Sequence, residues 1–463
     1  MRKCLPKFLL SAKNIVLLVL FLVLILPVGC RKDKEPLNIP TSKPASAYES
    51  AFIRSYFDLT CKIVKNTSGF FPPQASRAYG YISLALYEST VPGIDETASL
   101  TGQLSDLKSA TFPKPDKDSE YNWAISANAA TAEMIRKMFE IKISAEHLTA
   151  IDEQEKKNKM SLSSGISGDV VLRSEAFGKS VTAALYEFSK SDGGHQSFLN
   201  PFQLPYILPL GDDQWVPTGA AQSPVAPKWG TNRAFLFSNV SQTEPPAPYN
   251  FSTDPKSPIY EDAIKVYNQV KSNTPEQVLI TKYWADDPFS TCTPTGHTIN
   301  ILTQLLEENK SSLAKAALAY AQMGVAEHDA FIACWKCKYK TNRLRPVTYI
   351  KKYIDPSFNT VIGTPPFPAY DSGHSAEIGA GSVIFTHLFT NGDGKYTLTD
   401  RSQIQYGFSP RTWNSFNEMA QECADSRFFG GIHFLEDNTI GLTQGKKVGQ
   451  NVISMIKWPK GVK

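Results

Sequence analysis

Apolar residues recur at intervals of three and four over long stretches of this sequence, and this spacing constrains the fold more than any other feature. The pattern is nearly continuous from Tyr48 to about Lys190, and residues 76–87 are a clear example. Helical spacing returns at about Tyr260 and dominates to the C-terminus, whereas alternating β-branched runs are scarce. Side chains three and four apart share one face of an α-helix, so the sequence predicts an all-α fold.

Prolines cluster between about Ser191 and Tyr260 and interrupt this helical pattern. A proline fixes its own φ angle and lacks a backbone N–H donor, so a dense set of prolines disfavours regular helices. The sequence therefore predicts a long, ordered, Pro-rich loop excursion here. Excursions of that length usually have a function or pack over a cleft.

The composition is that of an ordinary globular protein, since 42% of the 463 residues are hydrophobic and 20% are charged. The formal net charge is only +4, and the lysines and arginines are spread along the chain. A nucleic-acid-binding protein would be expected to gather its basic residues on one face, with interleaved aromatic residues. The composition therefore argues against nucleic acid as a partner.

The N-terminal leader has the features of an export signal. The chain starts Met-Arg-Lys, an apolar run extends from Ile15 to Pro27, and Val28-Gly29-Cys30 precedes a charged stretch. Such a run is too short to cross a membrane comfortably, and a small residue before the break is typical of a cleavage site. The Gly29-Cys30 pair resembles a bacterial lipobox, although Pro27 stands where that motif usually has a residue such as Leu or Ala.

The sequence therefore predicts a lipoprotein signal peptide at residues 1–29, lipidation at Cys30 and a tether at residues 30–46. We expect an exported protein that its N-terminal lipid anchors to the membrane of the bacterial envelope, in the periplasm or at the cell surface. Two alternatives stay open at this point: an anchor that is not cleaved, and cleavage without lipidation.

Five cysteines follow the leader, at positions 61, 292, 334, 337 and 423. An odd and widely spaced set predicts no disulfide framework. Cys334 and Cys337 form a CxxC, but neither a second pair of ligands nor a strand-to-helix turn accompanies them. We therefore expect buried thiols there, not a zinc or redox site.

Three short blocks in the C-terminal half contain the residues best suited to chemistry. The first, which includes Lys338 and Arg345, ends a long Ala-rich helical stretch that starts near Ser312. Helical intervals connect Trp335, Lys338 and Arg345, so two cations and an aromatic ring are predicted on one stripe. Pro346 is predicted to end this helix, because a proline disfavours helical geometry at the preceding residue. Taken alone, the cations could equally be solvated at a helix C-terminus.

The second block is Ser372-Gly373-His374, which follows a Pro-rich turn and precedes an apolar, helix-like run from Ala376 to Phe385. This order places the block at a helix N-terminus, where free backbone N–H groups and the helix dipole favour an anion. For this motif on its own, a simple helix cap is the alternative.

The third block contains Arg427, His433 and Asp437. The last two lie one helical turn apart, so the carboxylate can accept one ring N–H and leave the other nitrogen free to attack or to ligate. A buried His–Asp pair with a structural role is the alternative. Three glycines continue the same spacing and would let another helix approach closely: Gly441, Gly445 and Gly449.

In order along the chain, the blocks read Lys-x6-Arg-Pro, Ser-Gly-His and Ser-Arg-x5-His-x3-Asp. This combination resembles the signature of the superfamily of vanadium haloperoxidases and PAP2-type (type 2 phosphatidic acid phosphatase) enzymes. One departure is Asp371, which stands where that family usually has proline. The resemblance covers most of the chain after the leader, but it is strong only after about residue 275.

The resemblance implies a helical bundle built around one oxyanion site. It divides the chain into an N-terminal helical region at residues 47–270, which includes the Pro-rich loop, and a catalytic region at residues 271–463. Trp335 and Phe367 match aromatic positions that shape the halide pocket in the chloroperoxidase-like branch.

The resemblance also implies roles for the polar residues of the three blocks. His433 would bind vanadate or attack phosphate, with Asp437 orienting its ring, and His374 would be the acid/base. The oxyanion itself would be bound by five residues: Lys338, Arg345, Ser372, Gly373 and Arg427.

Two enzymatic functions follow from this resemblance. A vanadium-dependent haloperoxidase would hold vanadate on His433 as its cofactor and oxidise a halide with hydrogen peroxide. An acid phosphatase would use the same residues without a cofactor, and His433 would attack the phosphorus of a phosphomonoester. The Trp335–Phe367 pair favours the peroxidase. The expected partners are small-molecule substrates, and the sequence does not determine the oligomeric state.

A hypothesis of another class is a non-catalytic surface lipoprotein that binds a small ligand. The composition and the lipobox-like leader would permit it. It leaves the complete set of three blocks unexplained, so we prefer an enzyme.

Overall fold

The computed structural model describes residues 41–203, 205–219 and 221–462. Residues Thr41–Lys463 cluster into one compact unit. The described residues form fourteen α-helices: α1 (Ala51–Asn66), α2 (Pro72–Thr90), α3 (Trp123–Met138), α4 (Ala145–Leu162), α5 (Gly168–Ser189), α6 (Ser238–Ser241), α7 (Pro258–Ser272), α8 (Pro275–Tyr283), α9 (Thr293–Glu308), α10 (Leu313–Thr341), α11 (Pro346–Tyr353), α12 (Gly373–Phe389), α13 (Phe416–Phe429) and α14 (Leu435–Met455). Two three-residue strands, β1 (Leu398–Asp400) and β2 (Arg411–Trp413), pair antiparallel. The all-α prediction is confirmed.

The N-terminal predictions lie mostly outside this part of the chain. The signal peptide, the lipidation site at Cys30 and most of the tether precede residue 41, so they stay predictions. Within the described ranges, no helix is both long enough and apolar enough to cross a membrane. The division of the chain at residue 270 also stays a prediction.

Helix α10 is the centre of the packing, with α2 along one side and α12 along another. Its 29 residues begin after Ser312, whose hydroxyl accepts a hydrogen bond from the N–H of Lys315 and so caps the helix. Gly324 of α10 faces Gly80 of α2, and a Cβ atom on Gly324 would lie only 3.2 Å from the Cα of Gly80. These small residues allow the two helix backbones to approach closely.

The end of α10 corrects one prediction from the sequence. The helix stops at Thr341, because Asn342 adopts the left-handed conformation (φ 44°) that ends many helices. Pro346 then begins α11 and does not end α10, since its fixed φ suits the first position of a helix. Arg345 is therefore the residue before α11, and it does not share the α10 stripe with Lys338.

Helices α12 and α14 share the most extensive contact among the described helices. The contact runs along the glycines that were predicted to permit a close helix approach. A Cβ atom on Gly445 would lie 1.9 Å from the carbonyl oxygen of Ala376. Cβ atoms on Gly441 and Gly449 would meet the carbonyl oxygens of Ser372 and Ala380 at 2.7 and 2.8 Å. The predicted close helix approach is thus present, and α12 is the partner helix.

The Pro-rich segment between α5 and α7 is an ordered excursion with only short helical turns, as predicted. A buried ion pair between Arg77 of α2 and Asp192, 2.7 Å long, holds its start. Further along, the carbonyl oxygen of Val225 accepts hydrogen bonds from the indole of Trp335 and the hydroxyl of Tyr339, both on α10. The segment therefore covers the C-terminal half of α10.

Replacing Gly445 by Ala tests the contact between α12 and α14. Alanine should favour a helix by up to about 1 kcal/mol over glycine, but the clash with the Ala376 carbonyl should outweigh this gain and cost about 1–3 kcal/mol. Chemical denaturation of both proteins measures the difference. Gly168→Ala is the matched control, because nothing lies within 4 Å of its added Cβ. A stabilised Gly445→Ala protein would contradict the close approach.

Candidate active site

The three sequence blocks meet where the end of α10, the start of α12 and the loop between α13 and α14 come together. The Nη1 atom of Arg345 lies 3.0 Å from the Nε2 atom of His433. The backbone N–H of Ser372 donates to the carbonyl oxygen of Asp437 at 3.1 Å. The structure therefore brings together residues that are far apart in sequence, 88 positions in the case of Arg345 and His433.

His433 is buried and is held in one tautomer. Its Nδ1 atom lies 3.0 Å from the Oδ2 atom of Asp437, which also accepts the backbone N–H of Phe434. Because the carboxylate accepts the Nδ1–H, the lone pair of the ring is on Nε2. Burial lowers the pKa of His433 well below its usual value, and Arg345 and Lys338 add to this effect. The imidazole is therefore neutral at neutral pH, with Nε2 available to ligate or attack.

Arg345 lies beside that nitrogen and is completely buried. Its Nε atom donates to the carbonyl oxygen of Phe367, and its Nη1 atom donates to that of Ile432, both at 2.9 Å. Its Nη2 atom has no hydrogen-bond partner among the described residues. Burial lowers the pKa of Arg345 to about 9, so the guanidinium stays positive at neutral pH.

Lys338 is the second buried cation of the site. Its ammonium group donates to the backbone carbonyl oxygens of Pro368 and Ala369 at 3.1 and 3.0 Å, and also to that of Asp371. It lies 5.1 Å from the ring centre of Phe367, within the range of a cation–π contact. Burial lowers its pKa.

Arg427 is the third cation, and it reaches the site from α13. Its Nε atom donates to the Ser426 hydroxyl, and its Nη2 atom donates to the Thr281 carbonyl oxygen, both at 3.0 Å. In the described part of the chain, the hydrogen-bond partners of Arg427, Lys338 and Arg345 are carbonyl oxygens, one hydroxyl and His433, without a carboxylate. Buried cations are costly unless an anion neutralises them, so this donor set suits an oxyanion.

Helix α12 directs its N-terminus towards the same place. Ser372 is its N-cap, and the Ser372 hydroxyl accepts a hydrogen bond from the N–H of Ser375. Gly373 follows and lines the cavity. A Cβ atom there would lie 3.3 Å from the indole of Trp335, so a side chain at this position would crowd the site. The helix dipole favours negative charge at this position.

His374 borders the site and is partly exposed to a cavity. One side of its ring is hydrogen-bonded to the Ala285 carbonyl oxygen, and its Nε2 atom has no partner within the described ranges. Burial lowers the pKa of His374 well below its usual value, and Arg427 and His433 contribute. A neutral imidazole with one free nitrogen is suited to accept a proton.

The cavity above these residues has a volume of about 240 Å³ and mostly apolar walls. Trp335 and Phe367 both line it, with ring centres 5.0 Å apart; their role in a halide pocket, which the resemblance implies, stays a prediction. Gly373, His374, Arg427 and His433 belong to its polar part, together with Asp286 and Asp287. The other predicted residues, Lys338, Arg345, Ser372 and Asp437, do not line the cavity and lie behind these polar groups.

Sequence reasoning did not find the residues that complete the cavity wall. Phe71 and Pro72, at the start of α2, line it together with Val225 of the Pro-rich segment. The Phe-Phe-Pro-Pro run before α2 was a local signal of an ordered helix start, but it does not indicate which cavity that start would face. Arg343 was also missed, although it pairs with Asp437 at 3.3 Å.

Three aspartates, Asp286, Asp287 and Asp329, are candidate partners of His374, and they have different surroundings. Asp329 accepts hydrogen bonds from the backbone of the Pro-rich segment, and Asp286 pairs with His297 at 2.8 Å. A second aspartate, Asp400, contacts the other ring nitrogen of His297, so this histidine is structural. Of these carboxylates, Asp286 and Asp287 line the cavity that His374 borders.

Asp371, the departure from the family pattern, contributes its backbone to the site. Its carbonyl oxygen accepts from Lys338, whereas both oxygens of its buried carboxyl group have no partner among the described residues. Burial raises the pKa of Asp371 to about 6, and Lys338 opposes this change. A protonated carboxyl group is thus favoured in mildly acidic solution, which reduces the negative charge beside the site.

Comparison with known proteins identifies the architecture. A model of the VCPO second helical-bundle domain matches residues 318–357 and 351–459. The crystal structure of a bacterial vanadium-dependent iodoperoxidase matches with a TM-score of 0.79 and 28% identity, over 93% of this chain and 100% of that chain. The chain belongs to the vanadium haloperoxidase superfamily.

Other members of the vanadium haloperoxidase superfamily share the fold at lower sequence identity. The holo form of a bacterial vanadium-dependent chloroperoxidase matches with a TM-score of 0.62 and 13% identity, over 85% of this chain and 93% of that chain. Its apo form matches with a TM-score of 0.59 and 13% identity, over 83% and 93%. A comparison with curated protein sequences found no significant match.

Replacing Arg345 by Lys tests whether the guanidinium binds an oxyanion in this superfamily member. Lysine keeps the charge but cannot reproduce the fork that bonds the Phe367 and Ile432 carbonyl oxygens and approaches His433. We expect the affinity for orthovanadate, measured by calorimetric titration, to fall about tenfold or more, since one charge-assisted hydrogen bond contributes roughly 1.5–3 kcal/mol.

Lys351→Arg is the control, because this exposed cation lies on α11, the helix that Arg345 precedes. Its affinity for orthovanadate should equal that of the unchanged protein. An Arg345→Lys protein that binds orthovanadate as tightly as this control would show that the guanidinium does not contact the anion.

Proposed function

We propose that this protein is a vanadium-dependent haloperoxidase, which oxidises a halide with hydrogen peroxide. The observation that supports this most is the set of three buried cations near His433, none of them hydrogen-bonded to a carboxylate in the described residues; the Nε2 atom of His433 faces Arg345. The similarity to an iodoperoxidase over the whole of that protein supports the same activity. We propose iodide as the halide to test first, on the basis of that similarity.

The residues present fit vanadate as the cofactor. His433 would be its ligand through Nε2, and the unpartnered Nη2 atom of Arg345 is a donor that an oxyanion would satisfy. When bound, vanadate would act as a Lewis acid that activates hydrogen peroxide towards attack by halide. The predicted oxyanion contacts from Lys338, Arg427, Ser372 and Gly373 are part of this proposal.

The side chains of the site have separate tasks in this mechanism. Asp437 fixes the tautomer of His433 and stabilises the ring when it binds an electrophilic centre. The cations neutralise the negative charge of the oxyanion, and their backbone partners hold them in position before it binds.

His374 would manage protons in this reaction. Its pKa lies below the usual value, so at neutral pH the ring is unprotonated and can accept a proton from hydrogen peroxide. It would then return the proton to the peroxide oxygen that is not transferred to the halide, and this oxygen would take a second proton from solvent to leave as water. Trp335 and Phe367 would shape the halide pocket, and their apolar faces would keep bulk water from the reacting atoms.

Peroxide-dependent iodide oxidation tests this function. Full-length protein loaded with orthovanadate should oxidise iodide, and the metal-free protein should not. His433→Ala should lower the rate by at least about 100-fold, because loss of a residue that merely supports a metal ligand already costs 10–100-fold. The matched control is His387→Ala, an exposed histidine in the last turn of α12.

An aryl phosphate assay on the same proteins distinguishes the alternative enzyme. Phosphate release by metal-free protein, inhibited by orthovanadate and absent in His433→Ala, without iodide, bromide or chloride oxidation, would identify an acid phosphatase. Absence of both activities would contradict an enzymatic role for the site.

We also propose that the protein is exported and anchored to the bacterial envelope by a lipid on Cys30. The apolar run and the Gly29-Cys30 pair of the leader support this proposal. Cells grown with a labelled fatty acid should incorporate the label into the protein. Cys30→Ser should abolish the incorporation, whereas Cys4→Ser, in the same leader, should not. Equal labelling of all three proteins would contradict lipidation at Cys30.

A further inference from the structure

Two buried cysteines from distant parts of the chain lie beside each other. Cys61 is on α1 and Cys292 immediately precedes α9, and they are 4% and 1% exposed. One side chain, Asn300, contacts both sulfur atoms: Cys61 lies 3.0 Å from its Oδ1 atom, and its Nδ2 atom lies 3.4 Å from Cys292. One amide group therefore joins the two thiols.

The first turn of α9 holds the two sulfur atoms at this position. Cys61 lies 3.7 Å from the carbonyl oxygen of Gly296. A Cβ atom on Gly296 would lie only 2.6 Å from the sulfur of Cys292, so the absence of a side chain leaves space for the pair. Tyr79 donates to the Cys61 sulfur at 3.2 Å. The pair is therefore fixed by packing and not by chance proximity of two mobile side chains.

The surroundings make Cys292 the more reactive thiol. The Asn300 amide donates to the sulfur of Cys292, whereas its oxygen accepts from Cys61, so this one side chain favours a thiolate at Cys292 and a thiol at Cys61. The neighbouring Cys61 thiol lowers the pKa of Cys292, whereas burial raises the pKa of Cys61. A thiolate is the form of cysteine that attacks an oxidant.

We propose that Cys61 and Cys292 form a peroxide-sensitive dithiol that closes to a disulfide. The thiolate of Cys292 attacks one oxygen of hydrogen peroxide, the O–O bond breaks, and the second oxygen leaves as water after taking a proton. The sulfur of Cys61 then attacks the resulting sulfenic acid, and the S–O bond breaks with loss of a second water. Two thiols and one peroxide thus give one disulfide and two waters.

Peroxide can approach this pair from the surface without entering the active-site cavity. Asn300 lines a separate open cavity of about 730 Å³, together with polar residues of α1 and of the segment after β1. The pair lies directly behind that amide. A small movement of one side chain would therefore expose the sulfur atoms to a molecule as small as hydrogen peroxide.

The disulfide would fasten one wall of the active-site cavity to the N-terminal helices. Cys292 ends the segment between α8 and α9, in which Asp286 and Phe289 have the positive φ angles that non-glycine residues rarely adopt. Asp287 and Pro288 of this segment line the cavity. A bond from Cys292 to α1 would hold this segment in place while the protein handles an oxidant.

Peptide mapping of the full-length protein tests the proposal without vanadate or halide, so its outcome is independent of the proposed haloperoxidase activity. The protein is treated with a small excess of hydrogen peroxide, alkylated, and digested without reductant. We expect one cross-linked peptide that joins the Cys61 and Cys292 segments and lacks two hydrogens. The other buried thiols, Cys334, Cys337 and Cys423, should be alkylated in the same digest.

Variants separate the two chemical steps. In Cys61→Ser the cross-link should disappear, and a sulfenic acid on Cys292 should become trappable with a dimedone probe. Cys423→Ala, which removes another buried thiol, should keep the cross-link. Oxidation should also raise the melting temperature of the unchanged protein by several degrees but not that of Cys61→Ser, since a bond between such distant residues restricts the unfolded chain. The proposal would be overturned if Cys61 and Cys292 stayed alkylatable under peroxide that oxidises Cys334, Cys337 or Cys423.

Discussion

Three buried cations held by neutral groups are the constraint on which the rest of the site depends. Burial of a charge is costly, and Lys338, Arg345 and Arg427 are tolerated because backbone carbonyl oxygens and a hydroxyl surround them. Most of these carbonyls belong to loops before α12 and between α13 and α14, since helix interiors use their carbonyls internally. The loops therefore have to be ordered, and an entering oxyanion meets cations that are not hydrogen-bonded to a carboxylate in the described residues.

The close contact between α12 and α14 determines whether those loops meet. Gly441 lets the N-terminus of α12 approach near enough for the Ser372 N–H to bond the Asp437 carbonyl. That single backbone bond joins the helix N-terminus, which favours an anion, to the carboxylate that orients His433. The packing of small residues thus also determines the electrostatics of the site. A wider separation of α12 and α14 would move the N-terminus of α12, and with it the helix dipole, away from the imidazole of His433.

The sequence predicted the helices and the polar site residues better than the path of the chain between them. His433 and Asp437 could be paired from their four-residue spacing, although His433 precedes α14 and only Asp437 lies in its first turn. Arg345 was predicted to reach the site on the same helical stripe as Lys338. Instead, α10 ends at the left-handed Asn342, and Arg345 reaches the site as the residue before α11. Phe71 and Val225 line the cavity through contacts between segments far apart in sequence, which no local pattern encodes. The proximity of Cys61 to Cys292 was not predictable for the same reason.

The shape of the cavity bears on the choice between the two enzymes that this site could serve. Its volume of about 240 Å³ is below the roughly 300–1,000 Å³ of pockets that enclose drug-sized ligands, and most of its wall is apolar. Peroxide and a halide ion are small enough to share such a space with an oxyanion bound at its floor. A phosphomonoester would have to place its organic group between Trp335 and Phe367 or leave it outside the opening. An apolar wall above a positively charged floor also suits a polarisable halide, which needs little hydration to be stable there. The geometry of the cavity therefore favours halide oxidation over phosphoester hydrolysis, independently of the sequence motifs that the two enzymes share.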